Sequence, residues 1–344
     1  MATFNLVTHD RFETLAPYSS QWDELLTGSV TDSPFLKFDF VAAWWEHKGG
    51  GEWNADSQLA IITAHQENDL IGIAPLFITQ LPDGSRALYN LGAVEICDLL
   101  DVIVHPENHA EFVEAVLNHL LSSGLRFDVI RLYNLPSGSP TIPALEQELG
   151  KANWSHTVEQ YQPSPTIHLS PDFDSYLAGI DKKQRHEIKR KIRRAEESGR
   201  SVRWYFVDDA EKLPNAINSF FSLMAGDPSK ESFLSGSMRV QMEVIIHTAF
   251  KGGYLKFAFL EADGEIAASY LMFDHQNKLW VYNSGYNRNF NDLSVGWVLL
   301  GYLIDWACQN QRAEFDFLRG SEDYKFKFGA VDRPVMMLTA HRLP

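Results

Sequence analysis

Residues 279–328 read LWVYNSGYNRNFNDLSVGWVLLGYLIDWACQNQRAEFDFLRGSEDYKFKF and indicate a strand, a polar turn, a long helix, a second strand and a short helix. The first five residues form an apolar run with Trp, Val and Tyr, which is typical of a strand, and residues 287–294 are rich in Asn and Asp. From Ser294 onwards apolar residues recur every three or four positions, which predicts a helix with one buried face. Ser294 is the predicted N-cap of this helix.

The predicted start of this helix is a candidate site for an anion. The first N–H groups of a helix have no partner within it, and they carry a partial positive charge of about half a unit. Gly296 in the first turn would let a ligand approach the backbone closely. We therefore predict a cofactor-binding site at Leu293, Ser294, Val295, Gly296 and Trp297. An ordinary capped helix without a ligand is the alternative interpretation.

The composition is that of a folded protein with room for two domains, since the chain has 344 residues and is 45% hydrophobic. It contains no uninterrupted apolar run of membrane-spanning length, and its first residues show no basic leader with an apolar core. We expect a cytoplasmic protein without a membrane span. Cys97 and Cys308 lie far apart and lack metal-ligand spacing, so neither a disulfide framework nor a metal site is expected.

The formal net charge of −15 conceals a basic segment at residues 181–203. This segment has ten Lys and Arg against four Asp and Glu, a net +6, so the remaining chain carries −21. Ile188, Ile192 and Ala195 form a narrow apolar stripe that should pack on the fold. The cations are then a solvated surface, partners for the acidic remainder of the chain, or a site for a phosphate-rich ligand such as an RNA acceptor stem.

The two halves of the chain repeat one pattern at an offset of about 190 residues. LIGIAPLFI at residues 70–78 corresponds to EIAASYLMF at 265–273, and the pattern F-D-x-x-R occurs at 127–131 and 315–319. Each F-D-x-x-R follows an amphipathic helix. We predict a tandem duplication in the α/β class, with a mixed sheet and helices on both faces in each half. The predicted domains are residues 1–170 and 201–344, joined by a basic linker helix at 171–200.

This order of elements resembles the GNAT acyltransferase fold. Residues 282–307 and FDFLRGSEDYKFKFG at 315–329 resemble the C-terminal unit of the CelD-like acyltransferases, bacterial proteins associated with cellulose and other envelope polysaccharides. LYNLGAVEICDLLDVIVHP at 88–106 and SPFLKFDFVAAWWEHKGG at 33–50 resemble the first half of that family. The basic stretch at 185–204 is similar to the linker helix of the Fem-type transferases, which share the tandem fold and use aminoacyl-tRNA to build peptidoglycan cross-bridges.

The resemblance implies acyl-CoA as the donor, with acetyl-CoA as one form of it, and no metal. From the predicted helix start near Ser294 and the duplicated plan, we expect the second unit to bind the donor and the first unit to lie on the acceptor side, with the acceptor in the cleft between the units. The acceptor would be an amine or hydroxyl of a small molecule, a sugar or an envelope precursor. Acetyl-CoA enzymes of this fold carry a loop of the type Q/R-x-x-G-x-G/A. This chain has residues 291–296 there, with a single Gly and no Arg or Gln at the front, so the acyl group stays open.

Direct acyl transfer needs a base for the acceptor's proton, donors to the oxyanion and a proton for the leaving thiolate. The candidate bases are Asp101 and Glu322, and the candidate acids are Tyr286 and Tyr324. The candidate substrate-binding residues are Trp44, Asp98, Asp316, Arg319 and Lys325. Each group has a structural alternative: Trp44 as a core residue, Asp98 and Asp101 as hydrogen-bonded turn acids, and F-D-x-x-R as an ion pair between strand and helix.

Two rival functions accompany this hypothesis. The first keeps the fold but replaces acyl-CoA by aminoacyl-tRNA, with Lys189, Arg190 and Arg193 of the basic helix contacting the RNA. The second is a catalytically inactive module that binds a carbohydrate or a nucleotide-sugar and recruits partners.

Overall fold

The chain forms two compact units in the computed structural model, which describes residues 4–67, 69–234 and 236–343. The first unit comprises Met1–Pro163 and Arg333–Pro344, and the second comprises Ser164–Asp332. The boundaries therefore differ from those expected at 170 and 201, and the last residues of the chain return to the first unit. Hydrophobic periodicity identifies strands but not their distant partners, so this return was not visible in the sequence.

Within its described residues the first unit contains a four-stranded antiparallel sheet, a six-stranded mixed sheet and five α-helices. Its strands are β1 (Asn5–His9), β2 (Gln58–Leu59), β3 (Ile61–Gln66), β4 (Asp69–Ala74), β5 (Leu76–Gln80), β6 (Arg86–Asn90), β7 (Ile103–Val104), β8 (Val129–Pro136), β9 (Trp154–Gln162) and β17 (Val335–Arg342). Its helices are α1 (Ser19–Leu26), α2 (Phe38–Glu46), α3 (Lys48–Gly51), α4 (His109–Ser122) and α5 (Thr141–Lys151). The sheets have the strand orders β1-β3-β4-β7 and β2-β5-β6-β8-β17-β9.

The second unit is built on one seven-stranded sheet. Its strands are β10 (Pro165–His168), β11 (Val202–Phe206), β12 (Leu255–Ala262), β13 (Glu265–His275), β14 (Lys278–Tyr286), β15 (Glu314–Asp316) and β16 (Val331–Asp332). Its helices are α6 (Phe173–Gly179), α7 (Lys182–Glu196), α8 (Leu213–Met224), α9 (Pro228–Phe233), α10 (Ser237–Lys251), α11 (Val295–Gln309) and α12 (Asp323–Lys327). The strand order is β11-β12-β13-β14-β15-β10-β16, and only β14 and β15 pair in parallel among the described pairings.

Both units contain a parallel strand pair connected through a helix, which confirms the duplicated α/β plan. In the first unit β6 and β8 pair in parallel, and α4 lies between them in the chain. In the second unit β14 and β15 pair in parallel, and α11 lies between them. The long strand β13 of the second unit corresponds to two strands of the first unit, β4 and β5. Pro75 separates β4 from β5, because proline has no N–H for a ladder hydrogen bond.

The helix predicted from Ser294 is confirmed as α11, with its apolar stripe buried against the sheet. Val298, Leu299 and Leu303 are fully buried in the core of the second unit. Burial of one such side chain stabilises the fold by roughly 1.5–3 kcal/mol relative to exposure. Helix α11 is therefore held in place along its length by packing.

The basic segment is also helical, and its apolar stripe docks as predicted. Ile188 and Ala195 of α7 are buried. A Cβ added at Gly301 of α11 would lie 2.8 Å from the end of the Ile192 side chain, so the two helices pack closely at this glycine. Lys189 and Arg190 remain exposed on the opposite side.

No helix in the three described ranges combines the length and the apolar character needed to span a bilayer.

Candidate functional site

The central feature of the second unit is a gap between two parallel strands. Strands β14 and β15 pair only from Lys278 to Trp280 with Glu314 to Asp316. Beyond this point β14 continues to Tyr286, while the chain after β15 turns away through Leu318, whose φ is +55°. One edge of β14 is therefore left without a strand beside it.

A cleft of about 550 Å³ occupies this gap, and we refer to it as the split-strand cleft. Its walls come from β14, from the loop and helix after β15, and from α9 with the turn before it. A β-bulge at Tyr282 of β14 lies in the same wall, because Asn283 pairs with Leu271 while Val281 pairs with the next residue, Met272. Bulges bend a strand and increase its twist, which helps to open the gap.

Glu322 is held at the cleft by a turn built around Lys325. The Lys325 ammonium is buried and donates to the carbonyl oxygens of Arg319 and Gly320 at 2.8 and 3.4 Å, and it lies 3.0 Å from Oε2 of Glu322. Gly320 has a φ of +126°, which L side chains rarely adopt, and a Cβ there would press on the Glu322 carboxylate, so glycine is favoured at this position. The Glu322 side chain is 58% exposed.

This arrangement separates the predicted roles of the residues in that turn. An ammonium has three donors, and Lys325 directs its donors at three acceptors of its own turn. Lys325 thus positions Glu322, and this use competes with its predicted role in substrate binding. Glu322, Arg319, Tyr286 and Tyr324 all line the cleft.

Tyr324 lies in the wall of the cleft with its ring largely enclosed. Its ring packs edge-on against Phe317 at 6.0 Å between centroids. Burial, followed by the negative charge of Glu322, raises the pKa of Tyr324 well above its usual value. Burial likewise raises the pKa of Tyr270, whose hydroxyl lies 3.3 Å from the Gly296 carbonyl oxygen. Both phenols therefore stay protonated near neutral pH and can act as donors.

The start of α11 lies beside Tyr286, so it adjoins one end of the cleft. A Cβ added at Gly296 would lie 3.9 Å from the Tyr286 ring, which is ordinary contact. Ser294 occupies the N-cap position but has a left-handed φ of +55° and makes no capping bond with its side chain. Its hydroxyl instead accepts a hydrogen bond from Arg194 of α7 at 2.8 Å. The predicted N-cap is thus correct in position and different in bonding.

Cations of the basic segment surround this helix start. Besides Arg194, the Lys191 ammonium lies 3.6 Å from the centroid of the Trp297 ring. Arg200 lies 3.4 Å from Asp292, just before α11. The docking of α7 therefore adds positive charge to the partial charge of the helix start. The lining of the split-strand cleft includes none of the predicted cofactor-binding residues, Leu293, Ser294, Val295, Gly296 and Trp297.

Lys230 and Asn283 are cleft residues that the sequence did not single out. Lys230 of α9 donates to the Ser284 carbonyl oxygen at 2.5 Å and to Asn283 Oδ1 at 3.1 Å. The Ser284 N–H donates to the same Asn283 oxygen at 2.8 Å. These two side chains satisfy part of the open edge of β14. Burial lowers the pKa of Lys230. A lysine in a short helix with an Asp227 N-cap carries no sequence signal for such a contact.

The corresponding gap in the first unit is closed by Asn90. Strands β6 and β8 pair in parallel from Ala87 to Tyr89 with Val129 to Arg131. At the point of separation the Asn90 amide donates to the Tyr133 carbonyl oxygen at 2.6 Å and accepts from the Tyr133 N–H at 3.1 Å. The Asn90 side chain thus replaces the missing strand pairing, whereas the second unit keeps its gap.

Replacement of Asn90 by Ala should destabilise the protein, because two backbone groups of Tyr133 would lose their partners in a buried place. Each such loss costs about 1–3 kcal/mol, so we expect the free energy of unfolding to fall by roughly 2–6 kcal/mol in urea denaturation. Asn54→Ala is the control, because the Asn54 side-chain amide donates an exposed hydrogen bond of 3.3 Å to the Gln80 carbonyl oxygen. Equal effects of the two substitutions would contradict the bridging role.

Asp101, the alternative candidate base, lies in a buried network of the first unit. Its oxygens accept from the hydroxyls of Thr31, Ser139 and Thr141 at 2.7, 2.5 and 2.6 Å and from the Val102 N–H at 2.8 Å. Burial raises the pKa of Asp101, and these hydrogen bonds oppose that rise. The carboxylate joins three segments of the first unit, so a structural role explains it and we do not retain it as a base.

Trp44 and Asp98 also lie inside the first unit. Trp44 is fully buried and packs on Phe77 at 5.5 Å between ring centroids, so it is a core residue and cannot line a substrate site. Asp98 is 7% exposed. Both positions are buried, which favours the structural alternative for Trp44 and Asp98, and substrate binding there stays an untested prediction.

Asp316 is a buried turn acid at the point where β14 and β15 separate. Its Oδ1 accepts the Leu318 N–H at 2.8 Å, which stabilises the left-handed Leu318. Burial raises the pKa of Asp316 from 3.8 to about 6. This contact assigns Asp316 to the turn that opens the cleft, and its predicted contact with substrate has no counterpart among the cleft-lining residues.

The raised pKa of Asp316 predicts a pH-dependent effect of Asp316→Asn. Between pH 3.8 and about 6 the unfolded chain ionises at this residue while the folded chain does not, so wild-type stability falls relative to the variant as pH rises. At about 1.4 kcal/mol per pKa unit the difference reaches about 3 kcal/mol and is constant above pH 6. Denaturation from pH 3.5 to 7.5 measures it.

Asp83→Asn is the control, because the exposed Asp83 accepts the equivalent N–H two residues on, from Ser85 at 2.9 Å. The hydrogen bonds from Ser85 lower the pKa of Asp83, so its substitution should give a pH dependence of opposite sign. The same sign for both variants would contradict the assignment to Asp316.

Comparisons with known proteins support the fold. Residues 182–326 match the acetyltransferase (GNAT) domain family, a span that covers the basic helix, the split strands and the turn around Lys325. The chain has a duplicated GNAT-like fold. The structure of FemX superposes with a TM-score of 0.66 at 12% identity, over 94% of this chain and 96% of that chain.

Two further structures have the same fold at 12% identity. A conserved protein of unknown function from Bacteroides thetaiotaomicron gives a TM-score of 0.59 and covers 99% of this chain and 100% of that chain. The C-terminal domain of a putative lysylphosphatidylglycerol synthetase from Agrobacterium fabrum gives 0.54 and covers 95% and 93%. No curated protein matches the sequence. Within the described residues, no group of His, Cys, Asp and Glu is arranged to hold a metal ion.

Proposed function

We propose that this protein is an acyltransferase whose second unit binds an acyl-CoA donor and transfers the acyl group directly to an amine or hydroxyl. The observation that carries the proposal is the gap between β14 and β15, which places the β14 backbone, Glu322 and Tyr324 around one cleft. The match of residues 182–326 to the GNAT domain supports acyl transfer as the general class.

The residues around the cleft fit a donor that is long, amide-containing and anionic at one end. The open edge of β14 offers backbone groups to amides, as strand edges do for extended ligands. Gly296 leaves space at the start of α11, and Arg194 and Lys191 add positive charge there. Lys230 would exchange its bond to the Ser284 carbonyl oxygen for the donor's own groups when the edge is used.

The donor would supply an acyl group activated as a thioester. Glu322, held by Lys325, would accept the proton that the acceptor loses as its nitrogen or oxygen bonds to the acyl carbon. Tyr324, which burial keeps protonated, would give its proton to the sulfur that leaves. Tyr286 at the cleft mouth is 48% exposed, so it is better placed to contact the acceptor than to be the buried acid.

Release of free thiol from a panel of acyl-CoAs, measured with and without amine and hydroxyl acceptors, tests this function. We expect acceptor-dependent release with at least one acyl-CoA. The CelD-like resemblance places sugars and envelope precursors first among the acceptors to be tried. Absence of thiol release with every donor and acceptor would contradict the proposal.

A donor of the aminoacyl-tRNA type is the second candidate, and it is favoured by the exposed basic face of α7 and by the structural likeness to FemX. Lys189 and Arg190 are partly neutralised, because they lie 2.8 Å from carboxylate oxygens of Asp174 and Glu187. Transfer from aminoacyl-tRNA with steep salt dependence, lost on charge reversal at Lys189, Arg190 and Arg193, would support this candidate over acyl-CoA.

A further inference from the structure

A groove runs beside α8 and joins the split-strand cleft. Its outer part, about 400 Å³, lies between α8 and the rings of Tyr205 and Phe259. Its inner part, about 580 Å³, lies between α8 and the end of β14. Ser219 and Ile266 line both parts, and Tyr286 lines both the inner part and the split-strand cleft. We name the whole the α8 groove.

Uncharged polar side chains form the α8 wall of this groove. Asn215, Asn218, Ser219 and Ser222 all line it and follow the spacing of three and four residues that places side chains on one face of a helix. Their span of seven residues corresponds to about 10 Å at 1.5 Å per residue. Successive units of a chain-like ligand can therefore contact successive side chains of the stripe.

These groups retain hydrogen-bonding capacity for a ligand. In the described part of the chain the side chains of Asn215 and Ser219 make no hydrogen bond. Ser222 donates to the Asn218 carbonyl oxygen at 2.9 Å, which leaves its oxygen as an acceptor. Asn218 accepts from Arg239 at 3.3 Å through its oxygen, which leaves its NH₂ group as a donor. The stripe thus both donates and accepts.

Aromatic surfaces lie at both ends of the stripe. At the outer end the half-buried Tyr205 ring stacks on the fully buried Phe259, with 6.1 Å between ring centroids, so Tyr205 is the ring that a ligand can contact there. The Tyr205 hydroxyl is engaged with Glu261 at 2.8 Å, so the ring itself is what faces the groove. Tyr286 is 48% exposed at the inner end. Ring faces therefore flank the neutral hydrogen-bonding groups of the stripe at its two ends.

Charges in the groove are balanced. At the outer end Lys212 lies 3.4 Å from Asp209, and Glu211 lines the same part. At the inner end Arg288 is the cation. The two cations are matched by two carboxylates, so the groove does not select a polyanion, in contrast to the start of α11 with its adjoining cations.

We propose that the α8 groove binds an uncharged carbohydrate chain and presents one of its hydroxyl groups to the split-strand cleft. Hydroxyl groups of a sugar donate and accept as the stripe does, and the C–H faces of its rings match the aromatic surfaces. A purely apolar ligand would leave Asn215 and Ser219 without partners. The identity of the acceptor rests on the proposed acyl transfer, whereas carbohydrate binding itself does not.

Ser222→Trp tests the groove, because the indole would fill its inner part. Ser122→Trp is a matched control, since Ser122 is also exposed on a helix and donates to the carbonyl oxygen four residues earlier, Asn118, at 2.7 Å. Affinities for a neutral hexasaccharide and for a hexasaccharide of uronic acids are measured by calorimetry. We expect the wild type and Ser122→Trp to bind the neutral chain better than the acidic one. Ser222→Trp should bind the neutral chain at least tenfold more weakly than the wild type does.

Asn215→Leu is the second variant, because it keeps a similar side-chain volume and removes the amide at the outer end. It should weaken neutral hexasaccharide binding severalfold. Equal binding by wild type and Ser222→Trp, preference for the acidic chain, or no binding of the neutral chain by the wild type would overturn the proposal. Binding of acyl-CoA is measured in parallel on the wild type. A wild type that binds acyl-CoA but not the neutral chain rejects the groove, and a wild type that binds the neutral chain but releases no thiol rejects only the acyltransferase.

Discussion

Gly296→Asp should weaken acyl-CoA binding by roughly thirtyfold or more without destabilising the protein. The new carboxylate would lie at the start of α11, where we place the donor's phosphates. Two like charges about 6 Å apart repel by on the order of 2–3 kcal/mol at an effective dielectric constant of 20. Such an energy corresponds to the stated change in dissociation constant, which calorimetric titration of acyl-CoA measures.

The fold should tolerate this substitution for two reasons. The nearest atom to an added Cβ at Gly296 is 3.9 Å away, so no clash forces α11 to move. An acidic residue in the first turn stabilises a helix by about 0.3–1 kcal/mol, so the melting temperature should be unchanged or higher.

Gly296→Asn is the matched control, because it has the same size without the charge. It should retain most of the affinity, and the ratio between the two variants isolates the electrostatic contribution. Equal affinity of wild type, Asn and Asp variants would remove the helix start from the donor site. The donor would then be confined to the split-strand cleft, whose lining stops at Tyr286 and Arg288.

Local sequence patterns predicted the elements of the second unit because each pattern reports on burial. The apolar spacing after Ser294 gave α11, and the narrow stripe of Ile188, Ile192 and Ala195 gave the docking face of α7. The duplication was likewise visible as matched stretches. The path of the chain was not, because β17 pairs with β8 and β9, far away in sequence, and nothing local in residues 335–342 specifies those partners.

The candidate site was predicted in part. Glu322, Tyr324, Arg319 and Tyr286 lie together at one cleft, as grouped carboxylates and tyrosines near strand ends suggested. Asp101, like Glu322, is a carboxylate in a loop after a strand, yet its oxygens are occupied by three hydroxyls and one N–H. The sequence shows which residues carry a charge but not how many hydrogen bonds the fold directs at them.

The difference between the units depends on a side chain without a distinctive pattern. Asn90 hydrogen-bonds both backbone groups of Tyr133 and closes the gap after β6. At the open edge of β14 the hydrogen bonds come from Asn283 of the strand itself and from Lys230 of helix α9. Asparagine ends strands for many reasons, so neither contact could be foreseen. The choice of the second unit as the donor site therefore rests on geometry.

Glu322→Gln should lower kcat by about a hundredfold or more with little change in KM, because general base catalysis contributes roughly 10²–10⁴ to the rate. The amide keeps an oxygen for Lys325 but cannot accept the acceptor's proton. The carboxylate is 58% exposed, and exposed ion pairs contribute only about 0–1 kcal/mol, so the melting temperature should hardly change. Steady-state thiol release and thermal unfolding measure the two effects.

Glu148→Gln supplies the control for this loss. Glu148 lies 2.7 Å from Lys151, also three residues later, and belongs to the first unit, outside the lining of the split-strand cleft. A general effect of removing one carboxylate from an i,i+3 pair would appear in both variants, whereas loss of a base appears only at Glu322.

An unchanged kcat in Glu322→Gln would rule out Glu322 as the base. Asp227, in the turn before α9, would be the next acid in its lining to substitute, because a proton acceptor must lie within reach of the acceptor's amine or hydroxyl.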